Sequence, residues 1–542
     1  MGKVVWGLGG EQMNNIILLS GKIGSGKSTA AAGFENRDVA VISTSRCLKA
    51  RYGSSSGTRE ALKSAGDQNH DWLLDEIRDI KTSGSTTIVV DAVRSVGQIQ
   101  AIRKVFHQPH YLVTHVHLVC DSSTAFARVE ARNRPGDDSA SVQTAIWAEG
   151  ESEAEITQSA DMKLDSSRLA PSDISTILQA LVDTGNRHGR LVDVIVGGQY
   201  GSEGKGHVMA RMAHEYDVLC RVGGPNAGHS VICPITGKKI SFYHIPSGAI
   251  HSNALLLIGP GAVINPEVLF KELKEAQSLG HNLYERLLID PKAVVINENH
   301  IAEEAGFVKA IGSTGQGVGT ATIDKLRRAG TDIQARNCPK LFEYIADTRE
   351  KLEGYLSRGS RVMMEGTQGT GLSLHHGHFP YVTTRDTAAS GTLGEMGIPP
   401  SRVDRVFMVC RTNPIRVQSP PGGTSGPMGR ETDWETVSTR AGIPADELRA
   451  KEMTTTTKRQ RRVAEFDYAQ LRRASLLNGP TDIALTFVDY ISIKNRNVSR
   501  FDALTEETHR FIENIELVSG APVSMISTGF TINSVIDRRV RR

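Results

Sequence analysis

The sequence predicts an α/β protein of two domains, an N-terminal doubly wound parallel sheet and a larger mixed α/β domain. Three observations carry this prediction. Short apolar runs alternate with helix-like stretches, which is the pattern of parallel strands connected by helices. Two of these runs are each followed by a glycine-rich turn with a lysine, at residues 21–28 and 201–206. The length of 542 residues exceeds what one hydrophobic core usually supports.

The predicted elements follow from hydrophobic runs and their flanking turns. The first domain is expected to span residues 1–185, a polar linker residues 186–191, and the second domain residues 192–542. Buried strands are expected at Ile16–Leu19, Thr86–Val90, Tyr111–Val119 and Val192–Val196, helices from Ser28 and from Pro171 to about Val182, and a loop at Gln418–Arg430.

The composition is that of an ordinary globular protein. Hydrophobic residues make up 39% and charged residues 23%, and the formal net charge is +3. So small a positive excess argues against a dedicated nucleic-acid binder, which usually carries a strong basic patch. The six cysteines are scattered without a C-x-x-C pair, and no apolar run is long enough to span a bilayer. We therefore expect a cytoplasmic protein that acts on small molecules, without membrane or direct nucleic-acid binding.

The first glycine-rich turn matches the phosphate-binding pattern G-x-x-x-x-G-K-[ST]. Its glycines let backbone N–H groups surround phosphate oxygens, Lys27 reaches the β- and γ-phosphates, and the Ser28 hydroxyl contacts Mg²⁺. The expected strand before it and helix after it are the context that this motif requires. The predicted loop residues are Gly21, Gly24, Gly26, Lys27, Ser28 and Thr29.

The same domain contains a candidate acid and a candidate lid. Asp91 ends a hydrophobic strand, where a carboxylate can hold the metal through water, and Arg94 follows three residues later. Spaced arginines at 128, 132 and 134 are typical of a lid that closes over transferring phosphoryl groups, and Arg132 and Arg134 are its predicted contacts. Solvated charges are the alternative interpretation. With the phosphate loop, these features resemble nucleoside monophosphate kinases and dephospho-CoA kinases.

The second domain has its own glycine-rich loops. Residues 201–206, G-S-E-G-K-G, again permit close backbone approach to phosphate, and Lys205 supplies a cation, although the spacing differs from that of the first loop. Downstream, Asn226 and His229 lie on another glycine-rich turn. These residues predict phosphate binding without specifying a reaction.

From about residue 191 to 542 the chain resembles adenylosuccinate synthetase. The matching segments occur in the family's order: residues 201–206, N-A-G-H at 226–229, Y-H-I-P-S-G at 243–248, I-G-S-T-G-Q-G-V-G at 311–319, E-G-T-Q-G at 365–369, T-T-K-R-Q-R at 456–461 and S-T-G at 527–529. The resemblance implies that a nucleoside triphosphate phosphorylates O6 of a 6-oxopurine nucleotide, after which the aspartate amine displaces phosphate. It also implies Mg²⁺ and a homodimer.

The resemblance implies a role for individual residues. Expected catalytic residues are Ser202, Lys205 and His229, of which Lys205 neutralises and His229 hydrogen-bonds the transferring phosphoryl group. Expected contacts of the substrate nucleotide are Asn226, Thr314, Arg328, Gln368, Thr383 and Arg459, with Arg328 reaching across the dimer interface. Expected contacts of aspartate are Thr456, Thr457, Arg459 and Arg461. Expected contacts of the donor nucleotide are Gly201, Glu203, Gly204, Gly206, Phe487, Asp489, Ser527 and Gly529. Mg²⁺ is expected at Ser202 and Gly228, and in the first domain at Ser28.

Two departures from the family pattern bear on the substrates. Ordinary members carry aspartate in place of Ser202, where it removes the purine N1 proton and ligates Mg²⁺. A serine hydroxyl is not a general base near neutral pH without an activating partner. Phage 2-aminoadenylosuccinate synthetases, a family branch that acts on dGMP, commonly have serine there. Phe487 replaces a family lysine and can stack on either purine, so GTP, ATP and dATP stay open as donors.

Three functions remain open from the sequence. The favoured one is a dGMP-specific ligase fused to a kinase, because Lys205, His229 and Arg461 are all retained beside Ser202. The second is an ordinary adenylosuccinate synthetase that acts on IMP and tolerates Ser202. The third is a non-catalytic nucleotide-binding sensor or scaffold.

Overall fold

A computed structural model describes most of the chain. The described residues are 14–34, 39–52, 70–82, 87–107, 110–132, 150–182, 189–304, 315–328, 330–420, 422–453 and 459–539. The chain divides into two compact units, Met1–Arg187 and His188–Arg542, and this division falls inside the stretch predicted as a linker. Among the described helices, none combines the length and the apolar character needed to cross a bilayer.

The first unit is a parallel sheet connected by helices. Its strands are β1 (Asn14–Ser20), β2 (Val39–Ile42), β3 (Thr87–Val90), β4 (Tyr111–Val119) and β5 (Met162–Asp165). Its described helices are α1 (Lys27–Ala32), α2 (Thr44–Tyr52), α3 (Asp71–Thr82), α4 (Val96–Val105), α5 (Ser122–Arg132), α6 (Gly150–Gln158) and α7 (Pro171–Val182). The strand order is β2-β3-β1-β4-β5 and every neighbouring pair is parallel, which confirms the predicted doubly wound sheet.

Both faces of this sheet are covered, which explains why its strands are apolar throughout. In β1, Ile16 and Leu18 belong to the core on one face, and Ile17 and Leu19 belong to the core on the other. β1 lies in the middle of the sheet, between β3 and β4. The phosphate loop that follows β1 therefore lies at the switch point of strand order, where doubly wound folds bind their ligands.

The second unit is built on a mixed sheet of nine strands. These strands are β6 (Val192–Gly197), β7 (Val218–Arg221), β10 (Leu255–Ile258), β12 (Leu287–Ile289), β14 (Val362–Glu365), β15 (Val403–Arg411), β19 (Asp482–Thr486), β20 (Val523–Ser527) and β21 (Val535–Asp537). Their order is β12-β10-β7-β14-β6-β15-β19-β20-β21, and only the last pair is antiparallel. This arrangement confirms the predicted mixed α/β class.

Smaller strand pairs and helices surround this sheet. The remaining strands are β8 (His229–Ile232) with β9 (Lys239–Phe242), β11 (Val263–Ile264) with β13 (Val294–Val295), and β16 (Ile415–Arg416), β17 (Glu431–Thr432) and β18 (Arg462–Ala464). The described helices are α8 (Lys205–Met212), α9 (Pro266–Ser278), α10 (Glu298–Glu304), α11 (Val318–Arg327), α12 (Thr348–Ser357), α13 (Ala389–Met396), α14 (Trp434–Ala441), α15 (Ala445–Lys451), α16 (Tyr468–Asn478) and α17 (Glu506–Ser519).

The position of β6 sets the location of the second site. Ile195 packs in one large core, and Val194 and Val196 pack in the other, so β6 is buried on both faces. β14 and β15 flank β6, and all three strands run in the same direction. The loops that follow them therefore meet at one edge of the sheet. The described residues of 418–430 contain neither helix nor strand, as expected for a loop.

Candidate active site

The glycines of the phosphate loop in the first unit are required by its backbone. Gly21, Gly24 and Gly26 have φ values of 140°, 84° and 88°, in the left-handed region that favours glycine. A Cβ at Gly21 would lie 2.5 Å from the carbonyl oxygen of Leu118, and one at Gly24 would lie 2.4 Å from that of Ala125. The loop is thus packed closely against the neighbouring strand end and helix.

The ammonium group of the loop lysine hydrogen-bonds to backbone carbonyls of its own loop. Lys27 begins α1, one residue earlier than predicted, and its Nζ donates to the Gly21 oxygen at 2.5 Å and the Lys22 oxygen at 2.9 Å. Ser28 and Thr29 follow on α1 and are exposed. A bound phosphate would offer Lys27 charged acceptors in place of these carbonyls, and charge-assisted hydrogen bonds are stronger.

The predicted acid lies at the same edge of the sheet. The Asp91 carboxylate, 6% exposed, accepts hydrogen bonds from the Thr44 backbone N–H at 2.9 Å and the Thr44 hydroxyl at 3.1 Å. It therefore fixes the first turn of α2 beside the end of β3. Arg94 is half-buried, and its backbone N–H donates to Gln98 at 2.8 Å.

Only part of the predicted lid lies among the described residues. The Arg128 guanidinium on α5 donates to the Ser166 carbonyl at 2.7 Å and approaches the Gly24 carbonyl of the phosphate loop at 3.5 Å. Arg132 ends α5, but its side chain and all of Arg134 lie outside the described residues.

A cavity of about 190 Å³ opens at the C-terminal edge of the nine-stranded sheet. It brings together residues from loops that are far apart in the chain. Among its lining residues are the predicted catalytic Ser202, Lys205 and His229, the predicted metal ligand Gly228, the predicted donor contacts Glu203, Gly204, Gly206, Phe487, Asp489, Ser527 and Gly529, and the predicted aspartate contact Arg461. Gly201, Asn226, Arg328, Gln368, Thr383 and Arg459 do not line it, and Thr314, Thr456 and Thr457 lie outside the described residues.

Lys205 is held at this cavity by a buried ion pair. It begins α8 after Gly204, whose φ of 93° is left-handed. Its Nζ lies 2.7 Å from Glu203 Oε2, and both side chains are almost wholly buried. Nζ also donates to the backbone carbonyl of Gln368, and the Gly201 N–H donates to Glu203 Oε1 at 2.7 Å. These contacts join the loop after β6 to the loop after β14.

His229 forms a buried pair with a glutamate. It begins strand β8, paired with Phe242, whereas the sequence predicted a turn, because the hairpin extends to this residue. Its Nδ1 hydrogen-bonds Glu365, a wholly buried residue that also accepts from the Ser247 hydroxyl and, at 2.8 Å, from the Ser247 N–H. The Arg221 guanidinium lies 3.5 Å from the same carboxylate.

The ionisation of this pair follows from its surroundings. Burial, reinforced by Arg221, lowers the pKa of His229 to about 4. Burial alone would raise the pKa of Glu365, but Arg221 and His229 lower it to about 2. A neutral His229 that donates its Nδ1–H to the Glu365 carboxylate keeps Nε2 for the cavity. The sequence analysis did not assign Glu365, although it lies in the segment E-G-T-Q-G that supports the resemblance.

A second buried carboxylate organises the predicted aspartate site. Glu452 accepts from Arg411 at 2.7 Å, from the Tyr490 hydroxyl at 2.9 Å and from Arg461 at 3.3 Å. The Arg411 guanidinium also lies 4.1 Å from the ring centroid of Phe487. Neither Arg411 nor Glu452 was singled out from the sequence, since neither belongs to a recognised motif.

The far end of the cavity is aromatic and acidic. The rings of Phe487 and Phe530 meet edge-on with centroids 5.9 Å apart, and the Lys451 ammonium lies 5.1 Å from the Phe530 ring. Asp489 is 2% exposed, and burial raises its pKa to about 6. This combination of a flat apolar surface and one carboxylate suits a nucleobase.

Unusual backbone conformations concentrate at the predicted site residues. Five described non-glycine residues have positive φ: Ser202, Arg328, Gln368, Phe487 and Asn497, with values of 54°, 57°, 57°, 61° and 60°. Three of them, Arg328, Gln368 and Phe487, were predicted to contact the substrate or donor nucleotide, and Ser202 was predicted to be catalytic and to bind Mg²⁺. Such residues persist only where the surrounding structure holds them, and they cluster at ligand sites.

The fold defines a protein with a P-loop kinase-like unit and a second unit built on a mixed sheet, with a glycine-rich loop at the cavity on the edge of that sheet. The adenylosuccinate synthetase family matches residues 194–343 and 334–496, and an AAA domain family matches residues 16–156. The chain belongs to the adenylosuccinate synthetase family, whose members are C–N ligases, which confirms the resemblance.

Known relatives cover the second unit. The adenylosuccinate synthetases of Pyrococcus horikoshii and Methanocaldococcus jannaschii are 38% and 39% identical over 352 residues, which is 64% of this chain and 98% and 96% of theirs. Cyanophage S-2L succinoaminodeoxyadenylate synthetase (PurZ), solved with dGMP and with dATP as an energy donor, is 29% identical. It covers 65% of this chain and 96% of its own, with a TM-score of 0.54. The Plasmodium falciparum synthetase, at 22% identity and a TM-score of 0.56, has the same fold over 65% of this chain and 100% of its own.

Proposed function

We propose that the second unit joins L-aspartate to C6 of dGMP and forms N6-succino-2-amino-deoxyadenylate. The observation that carries this proposal is Ser202, which lines the catalytic cavity where ordinary members have aspartate. Its hydroxyl can accept a hydrogen bond from the guanine 2-amino group without the charge of a carboxylate. The solved complex of PurZ with dGMP, at 29% identity, supports this choice of nucleotide.

The chemistry proceeds in two steps that use different parts of the cavity. The purine O6 attacks the γ-phosphorus of the donor while N1 loses its proton to solvent, and the bond to the β-phosphate oxygen breaks. The aspartate nitrogen then bonds to C6, the C6–O6 bond breaks, and phosphate leaves while the amine releases a proton. Lys205 neutralises the transferring group, and His229 donates to it from Nε2–H, which requires that the anionic donor raise the pKa of His229 enough for both ring nitrogens to carry protons. Preorganised polar groups of this kind stabilise spreading charge.

The remaining predicted contacts would bind the substrate nucleotide and aspartate, which are both anions. Asn226, Gln368, Thr383 and Arg459 would hold the nucleotide, together with Thr314. For aspartate, Arg461 would meet a carboxylate with two parallel N–H groups, because Glu452 holds its guanidinium in the cavity wall. Thr456, Thr457 and Arg459 would complete this binding.

The donor would lie along residues 201–206 with its base at Phe487 and Asp489. A buried Asp489 carboxylate can read guanine N1 and N2, which favours GTP, whereas the dATP bound by PurZ favours an adenine nucleotide. Phe487 can stack on either base. Comparing kcat/KM for GTP, ATP and dATP with one nucleotide substrate decides between them.

The residues of the cavity fit a Mg²⁺ ion. Mg²⁺ prefers oxygen ligands and keeps few protein contacts besides substrate phosphates. The Ser202 hydroxyl and the Gly228 carbonyl supply such oxygens in one cavity, and the described residues contain no cluster of three His, Cys, Asp or Glu that would compete for it. When bound, Mg²⁺ would offset charge on the donor phosphates. In the first unit, Ser28 on α1 would serve the same purpose.

Mass spectrometry of the product tests the assignment. The full chain is incubated with aspartate, Mg²⁺, GTP plus ATP, and either dGMP or IMP. We expect succinylated product from dGMP at the higher rate. A faster reaction with IMP would instead support an ordinary adenylosuccinate synthetase, and no product from either nucleotide would support a sensor or scaffold.

We further propose that the first unit phosphorylates a nucleoside monophosphate. Support comes from the phosphate loop, in which Lys27 hydrogen-bonds to the Gly21 carbonyl, and from Asp91, which directly follows strand β3. Arg94, Arg132 and Arg134 would contact the transferring charge. Fusion would then place consecutive steps on related nucleotides at high effective concentration. Assay of the full chain with ATP and a monophosphate panel, beside Lys27→Ala, tests this: equal phosphorylation by the variant, or none by the parent, refutes it.

The assembly proposed for the ligase is a homodimer. Arg328, the expected contact across the interface, is exposed at the end of α11. On the same helix Leu326 is 75% exposed and Ile323 is 40% exposed, which is apolar area that a second copy would cover. Light scattering at assay concentration should report a dimer, and a fully active monomer would contradict this assignment.

A further inference from the structure

A second cleft in the ligase unit lies outside the residues assigned to the reaction. Its volume is about 820 Å³, within the range of small-molecule sites. Five side chains that can carry positive charge line it, namely Arg211, His214, His251, His281 and Arg286, and no aspartate or glutamate is among its lining residues in the described part of the chain. Burial lowers the pKa of both His251 and His281, so the positive charge near neutral pH comes from Arg211 and Arg286, and it favours anions.

Neither arginine has a carboxylate within ion-pair distance among the described residues. The Arg286 guanidinium donates to the backbone carbonyls of Ala254 at 2.7 Å and Ala249 at 2.5 Å, so no carboxylate neutralises it. Arg211 is half-buried on α8, without a hydrogen bond or an ion pair within 4 Å among the described residues, and its charge interacts with Asp537 at longer range. A phosphate group would supply the bidentate acceptor that a guanidinium prefers.

The rest of the lining indicates an organic ligand. Ile250, Ile532 and Val535 contribute apolar surface, and Ser252 and Asn253 contribute neutral hydrogen-bonding groups. An inorganic anion would use the arginines but leave this surface and most of the volume unfilled. A sugar phosphate or a nucleotide would use both.

The cleft shares three elements with the catalytic cavity. Helix α8 begins at Lys205 in the cavity and reaches Arg211 in the cleft six residues later, a rise of about 9 Å. Strand β8 begins at His229 in the cavity and is followed by Pro234 in the cleft. The segment that begins at the end of β20 likewise lines the cavity with Ser527, Gly529 and Phe530, and the cleft with Ile532, Asn533 and Val535.

We propose that this cleft binds a small organic phosphate as an effector of the ligase. An occupant that contacts all three elements would change the positions of Lys205, His229 and the donor loop together, because each element is continuous between the two sites. This regulation rests on the ligase activity, whereas the binding itself does not.

Calorimetry on the full chain tests the binding. Inorganic phosphate, ribose 5-phosphate and dAMP are titrated into the parent, Arg211→Gln, Arg211→Lys and the matched exposed control Arg472→Gln. We expect at least one organic phosphate to bind more tightly than inorganic phosphate. Arg211→Gln should weaken that binding about tenfold or more, the loss expected for a charge-assisted hydrogen bond. Arg211→Lys should retain part of it, and the control should bind as the parent does.

The outcomes distinguish this site from the ligase assignment. Failure of both organic phosphates to bind the parent, or equal binding by Arg211→Gln, overturns the proposal even if dGMP is succinylated. For the effector role, the bound probe should change ligase turnover at least about twofold in the parent and not in Arg211→Gln, whose turnover without probe should match the parent. Equal turnover with and without probe overturns that role.

Discussion

Glu365→Gln tests whether the buried carboxylate positions His229, the histidine proposed to be catalytic. Glutamine keeps the shape and one acceptor oxygen but removes the charge that Arg221 and the Nδ1–H of His229 now meet. Breaking a buried ion pair costs about 3–5 kcal/mol of folding stability, because the remaining charge is left uncompensated. If His229 also loses its orientation, we expect kcat to fall about 10²-fold, or about 2.7 kcal/mol of transition-state stabilisation.

A matched variant separates the two effects. Asp193 is a buried carboxylate paired with Arg361 at 2.8 Å, at the N-terminal end of β6 and away from the cavity. Because Arg361 is 43% exposed and burial raises the pKa of Asp193, Asp193→Asn should lose less stability than Glu365→Gln, and it should keep its turnover per folded molecule. Urea unfolding and steady-state kinetics are measured on both variants. Normal kcat per folded molecule in Glu365→Gln, whatever its loss of stability, would refute the positioning role.

The pH dependence of stability offers an independent check. The pKa of Glu365 is about 2 in the folded protein and near its ordinary value of about 4.3 when unfolded. The folded state therefore gains stability from this group above about pH 4, and loses it as the pH falls towards 2. Glu365→Gln should remove this part of the acid sensitivity, seen as a flatter unfolding free energy over that interval.

Three further changes test the assigned roles. Ser202→Asp should restore a carboxylate beside purine N1 and raise the ratio of kcat/KM for IMP over dGMP, and an unchanged ratio would separate Ser202 from substrate choice. Lys205→Ala should lower kcat about 10²-fold or more, while the exposed control Lys494→Ala should not, and comparable kinetics of the two variants would remove Lys205 from the mechanism. Because burial raises the pKa of Asp489 to about 6, protonation below that pH should raise the KM for GTP but not for dATP, which initial rates between pH 5 and 8 would show.

Local sequence patterns were sufficient for much of the fold. The phosphate loop requires glycine where the backbone φ is left-handed, and it follows a strand. Its residues therefore predict both the loop and the strand before it. The predicted strand Tyr111–Val119 and the predicted helix Pro171–Val182 have the same bounds in the structure, because each is a continuous apolar or amphipathic run. The glycine-rich loop of residues 201–206 is similarly local.

The partners of the proposed site residues could be recognised only in the tertiary structure. Glu365 lies 136 positions from His229, and Glu452 lies 41 positions from Arg411, with no motif that joins either pair. They meet because parallel strands β7, β14, β6, β15, β19 and β20 are neighbours in the sheet, and their loops end at one edge. A sequence pattern records which residues can bind phosphate or carry charge. Strand order decides which buried carboxylate lies beside which cation. An uncompensated charge is costly only when it is buried, and burial arises only once the chain has folded.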